Sequence, residues 1–142
     1  LELNPLELNP LELDPLEDAM ADTPRTYLVR EQDVRTYSPA NHSGTVNRRL
    51  ISRETVGAGQ LEVVLGTIEK GQGAHPHHHD GIEQACYILS GTARAEVDGQ
   101  VLEMGPGDTC FFPAGMEHVF IATSEEPVRL LVIYAPPYAE KV

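Results

Sequence analysis

Six histidines occur in this chain of 142 residues, and the spacing of three of them is what suggests chemistry. His77 and His79 lie two apart in the run His75-Pro76-His77-His78-His79. On an extended strand residues i and i+2 project to one face, so these two imidazoles can share an ion while His78 points the other way. A carboxamide, Gln84, follows them. A third imidazole, His118, closes a second stretch in which Pro113 and Gly115 form a turn just before it. Three imidazoles and one amide oxygen, drawn from two hairpins, read as a site for one divalent transition metal per chain. Mixed nitrogen and oxygen ligation suits Mn, Fe, Ni, Co or Zn, and the spacing does not choose among them.

The elements that must position these groups are strands. Runs rich in branched and apolar residues recur at 45–53, 61–69, 84–89, 93–97, 101–104, 109–112, 119–122 and 128–134, with a further edge strand expected at 27–30. Asp98-Gly99 is a two-residue hairpin turn and 105–108 the next turn, while Pro136-Pro137 stops the last strand. No window holds a sustained helical period with caps, so little helix is expected. Many short strands punctuated by Gly and Pro point to a sandwich or small barrel.

The chain length suits one core. Residues 1–22 are set apart as an appended or disordered acidic tail, because Leu-Glu-Leu-Asn-Pro and its near copies repeat with a period that fits neither helix nor strand. Met20 offers an alternative start, and 23–142 is taken as the folded domain. The tail holds seven of the acids behind the net charge of −12 and no base. No basic stripe exists to neutralise phosphates or anionic lipid, which argues against nucleic-acid and membrane partners. No apolar run approaches the ~20 residues that span a bilayer, and a cytoplasmic address is expected. Cys86 and Cys110 each sit in an apolar strand-like run and read as buried free thiols.

Laid out by spacing, the two stretches are Gly71-x5-His77-x-His79-x4-Gln84-x6-Gly91 and Gly107-x5-Pro113-x-Gly115-x2-His118. Together they strongly resemble the two signature motifs of the cupin superfamily, with residues 92–106 between them and the likeness extending over 45–135. The resemblance implies an all-β double-stranded β-helix, a jelly-roll barrel, with a metal near its interior held by His77, His79, Gln84 and His118. Cupins of this size commonly pair, so a homodimer is expected. Where the family usually carries a Glu ligand, this chain has Gln84 by count from Gly91, whereas counting forward from His79 also admits Glu83. A slip of one residue turns a strand side chain to the opposite face, so Gln84 is expected inside and Glu83 outside. The Asn that often ends the second motif is Ala122 here.

Gln in place of Glu leaves the dipositive charge of an ion uncompensated, which favours an anionic or enolate-forming ligand such as a carboxylate or β-dicarbonyl. The expected function is therefore a mononuclear metal enzyme acting on a small oxygen-rich anion by isomerase, lyase or dioxygenase chemistry. The pattern is also similar to small bacterial cupins that linearise unsaturated uronates in pectin and alginate breakdown. A non-catalytic metal- or metabolite-binding module is the competing class. Glu83 and Glu117 flank the ligands as acid–base candidates, against a bland reading as surface residues. His75 and His78 are read as exposed or supporting, His42 as solvated in a loop, and Tyr87, Phe111, Phe112 and Phe120 as core or lining. Arg48, Arg49 and Arg94 are surface candidates, any of which would bind a substrate carboxylate if it pointed inward.

Overall fold

A computed structural model describes residues 26–140. The repeats at 1–22 and Met20 lie outside the described residues. Nine strands are described: β1 (Thr36–Tyr37), β2 (His42–Ile51), β3 (Glu62–His77), β4 (Glu83–Ser90), β5 (Ala93–Val97), β6 (Gln100–Met104), β7 (Thr109–Phe112), β8 (His118–Ala122) and β9 (Val128–Ala135). They form a nearly closed antiparallel barrel of the double-stranded β-helix type. The strand order is β6-β5-β8-β3-β9-β4-β7, with β2 also along β3 and β1 along β2.

The alternation that marked the strands also sets their faces. In β5, Ala93, Ala95 and Val97 are buried while Arg94 and Glu96 are exposed, and Asp98 and Gly99 turn the chain at φ 49° and 70°, as a two-residue hairpin requires. Inward-facing residues from around the barrel meet in one core that includes Val64, Ile88, Phe112, Phe120, Val128 and Leu130. Each fully buried side chain of this size contributes about 1.5–3 kcal/mol by leaving water. Cys86 and Cys110 face one another across β4 and β7 as buried free thiols.

β3 joins the two halves of this continuous sheet. Its first part, from Glu62 to Ile68, pairs with β9, and its last part, from Gly73 to His77, pairs with β8. At the crossover a Cβ on Gly73 would stand 2.0 Å from the carbonyl oxygen of Phe120. Only glycine permits that approach.

Several elements depart from the sequence reading. The strand expected at 61–69 continues to His77, because Gly71 and Gly73 adopt positive φ within the ladder instead of ending it. The strand expected at 45–53 starts at His42 and stops at Ile51, where Ser52 caps a four-residue helix, α1 (Arg53–Val56), with a capping box to Thr55. Residues 27–30 form no strand; a 3-10 turn at Glu31–Asp33 and the short β1 take that role. Tyr87 and Phe111 are neither core nor lining: they alternate with Cys86 and Cys110 and so face outward, 41% and 51% exposed. Among the described residues no helix is long and apolar enough to cross a membrane.

Candidate metal centre

The sequence reading placed His77 and His79 on one extended strand, but β3 ends at His77 and His79 lies in the turn beyond it. What brings them together is a stitch between the two motifs. His77 sits directly across from His118 in the pairing of β3 with β8, and Gly115 donates its N–H to the carbonyl of His79 at 2.9 Å. The ligating nitrogens of His77, His79 and His118 all lie within 4.8 Å of one another. Gln84 enters from β4, buried, and lines the same cavity as His77 and His118, while its neighbour Glu83 faces solvent. The register anchored at Gly91 therefore puts the amide inside.

Hydrogen bonds orient two of the rings. His77 Nδ1–H donates to the carbonyl of His75 at 2.6 Å, and His118 Nδ1–H donates to that of Met116 at 3.1 Å. A carbonyl only accepts, so each ring is protonated at Nδ1 and keeps a lone pair on Nε2. His118 is also stacked on Phe112, and His79 meets Tyr134 edge-on at 5.5 Å. The Gln84 amide donates from Nε2 to Cys86 Sγ at 3.4 Å, leaving its oxygen free.

The result is a cluster of buried polar atoms without partners. His79 Nε2, His118 Nε2 and Gln84 Oε1 are buried and have no hydrogen-bond partner among the described residues. Each such group costs about 1–3 kcal/mol when left unmet, and lone pairs cannot satisfy one another. A bound cation meets them all at once. Burial, reinforced by His77 and His118, pushes His79 down to about 4. Burial likewise lowers His118 to about 4, with the Met116 carbonyl opposing and His77 adding to the effect. Both imidazoles are therefore neutral near pH 7, the form a metal requires.

Behind the cluster is a cavity of about 30 Å³ whose walls include Ile68, Phe112, Phe120, Leu130 and Val132, with Thr45 and Asn47 as polar groups. A larger hollow of about 320 Å³ is bordered by Arg35, Tyr37, Arg49 and Glu54. Its cations are already engaged, Arg35 by Glu54 at 3.6 Å and Arg49 by Glu62 at 3.8 Å, so the chemistry lies with the smaller cavity.

The remaining candidates fall outside the cluster or change role. His75 and His78 are exposed, the latter 3.3 Å from Asp80. Glu83 and Glu117 are exposed. Arg48 donates to the carbonyls of Glu31 and Val34, Arg94 pairs with Glu96 and Glu103 at the surface, and Arg49 does point inward, but onto Glu62. His42 is not a solvated loop residue. It begins β2, half-buried, with its ring 5.4 Å from that of His77, and it borders the cavity. Its Nδ1–H donates to the carbonyl of Ala40 at 2.7 Å, which leaves the other nitrogen as an acceptor. Asn41 and Gly44 on either side of it carry positive φ values.

The Cupin domain family model matches residues 64–134. Polyketide synthase CurC of Streptomyces cyaneus is 27% identical over 112 residues, which is 79% of this chain and 72% of that protein. The solved structure of the polyketide cyclase RemF from Streptomyces resistomycificus is similar with a TM-score of 0.68 at 24% identity, over 81% of this chain and 82% of that one. KdgF from Halomonas sp. is similar with a TM-score of 0.66 at 17% identity, over 77% and 94%.

Proposed function

This chain belongs to the cupin domain family, and from that premise we propose that it is a mononuclear divalent-metal enzyme with His77, His79, His118 and Gln84 as ligands. Its proposed substrate is a small, oxygen-rich molecule that binds as an anion, of the readily enolised β-dicarbonyl kind. The observation that carries this reading is the clustering of His77, His79 and His118 beside Gln84, with His79 Nε2, His118 Nε2 and Gln84 Oε1 buried and unpartnered among the described residues at the edge of a cavity of mixed polar and aromatic lining.

A divalent ion held there would act as a Lewis acid that favours the enolate of a bound dicarbonyl over its keto form. The protein's own part is positioning and exclusion of water. The carbonyls of His75 and Met116 fix the orientation of two imidazoles, and Phe112 fixes the plane of His118. The cavity walls keep out water that would compete for the enolate, while Thr45, Asn47 and His42 border the cavity as hydrogen-bonding groups. All four ligands are neutral, so an anionic ligand would supply the charge they lack.

One feature favours a dicarbonyl over a uronate or a simple dicarboxylate. Arg49, the inward arginine, is engaged by Glu62, so no free guanidinium among the described cavity residues awaits a carboxylate. The name of CurC, a polyketide synthase, points the same way, whereas the likeness to RemF carries the fold alone. The likeness to KdgF carries fold alone.

The test combines elemental analysis of protein purified without chelator with NMR of deuterium exchange at the central carbon of acetylacetone. One ion per chain and accelerated exchange are expected. Metal and diketone bound without exchange would mean a binding module, and a chain that takes up no metal would sink the reading. We also propose a homodimer, in which a second copy covers the apolar outer face of β4, β7 and β9.

A further inference from the structure

After β9 the chain does not leave the barrel. Residues 136–140 fold back over the ligand end, and the ring of Tyr138 lies 4.4 Å from that of His79 and 5.4 Å from that of Tyr134. Three hydrogen bonds tether this strap. Ala139 N–H donates to Glu62 Oε2 at 3.2 Å, Arg49 donates to the carbonyl of Glu140, and Ala40 N–H donates to Glu140 Oε1 at 2.6 Å.

The anchors are themselves costly. Glu62 is 2% exposed, and Arg49 Nε and Glu62 Oε1 face each other at 3.8 Å with neither atom in a hydrogen bond among the described residues. A buried ion pair so incompletely satisfied contributes little to stability against an apolar substitute. Its other atoms go to the backbone of Ala139 and Glu140, so what the pair does is hold the strap.

The site is also tight. The cavity of about 30 Å³ has room for an ion or a water or two, not for a dicarbonyl. The strands around it are locked into ladders on β3, β4, β8 and β9. Residues 136–140 belong to no strand and are held by the three hydrogen bonds named above rather than by a ladder. An opening here disturbs the least structure.

We infer that residues 136–140 are a liftable cover on the ligand site and that Tyr138 is the specificity-determining residue that touches whatever binds there. The inference rests on the metal-site reading above. An aromatic ring beside a ligand imidazole presents a flat apolar face, which suits a planar conjugated ligand such as an enolised dicarbonyl.

The test loads the full chain with Co(II) and follows its extraction by excess EDTA. Tyr138→Ala, which removes the covering ring, is expected to speed extraction by about tenfold, and Tyr138→Phe, which keeps it, to stay near the wild-type rate. Glu140→Ala loses one tether and is expected to fall between them; it carries the same test if Tyr138→Ala does not fold. Equal extraction rates in the wild type and these variants would overturn the cover. A changed rate in a protein whose Co(II)-loaded wild type fails to bind acetylacetone would leave the cover standing and overturn the dicarbonyl reading. No Co(II) uptake by the wild type would overturn both.

Discussion

The ring of Phe112 lies flat against that of His118, with the planes 3° apart and the centroids 4.1 Å apart. Phe112 is 1% exposed, so a core residue sets the plane of a candidate ligand. Packing and metal affinity are thereby tied together.

That tie predicts a separation of effects. Phe112→Ala is expected to cost about 3–5 kcal/mol of stability. Phe112→Leu is expected to cost under about 1.5 kcal/mol yet to weaken Co(II) binding about tenfold by freeing the imidazole. Thermal unfolding and metal titration of the two variants check this. A Leu variant with wild-type affinity would reduce Phe112 to core filling.

Gln84→Glu restores the carboxylate that most of the family is read to carry at this position. A negative ligand supplies charge the four neutral groups lack, so metal affinity is expected to rise by about tenfold or more, while an anionic probe binds the loaded protein more weakly. Competitive chelator titration and acetylacetone binding measure the two effects. Affinities unchanged in both would place Gln84 outside the ligand set.

The pH dependence of the metal-free protein follows from His79 and His118, both lowered to about 4 in the fold. Between about 4 and the unfolded value near 6.5, the unfolded chain binds protons that the native state does not. Stability is therefore full above about pH 6.5 and falls as the pH drops toward 4, by about 1.4 kcal/mol per pH unit for each imidazole. Chemical denaturation at pH 7.5, 6 and 5 reads the slope. His79→Asn and His118→Asn should each flatten it, and an unchanged slope in both variants would contradict the assignment.

The outer face of β4, β7 and β9 exposes Tyr87, Leu89, Phe111 and Ile133, each between 39% and 51% exposed. A contiguous apolar face of this kind is where a second copy is expected to dock. Sedimentation of the full chain is expected to give a dimer, and Phe111→Glu a monomer with the fold intact. A monomeric wild type across micromolar concentrations would remove the proposal.

Much of the barrel was legible because period-two alternation and Gly or Pro punctuation are local signals: β5, the Asp98-Gly99 turn and β9 fall where the spacing puts them. The candidate cluster was legible for a different reason, namely that two motifs at fixed offsets are hard to meet by accident. What escaped were features set by distant neighbours. The strand expected to end at 69 runs on through Gly71 and Gly73, where Gly73 pairs with Ile121 of β8. The inward turn of His42 is fixed by a strand pairing some 30 residues away in sequence. Tyr138 lies past a Pro-Pro stop, and Glu62 reads as an ordinary charge in an alternating strand. Only the returning C-terminal segment gives either of them a role.

β3 is hydrogen-bonded to β2, β8 and β9 and delivers His77 at its final residue. An ion held by the cluster would therefore be coupled to three neighbouring strands, and loading it is expected to act on the whole barrel as a clasp acts on a band. Amide protons in β2, β8 and β9 should slow their exchange together when Co(II) is added, including those far from any imidazole.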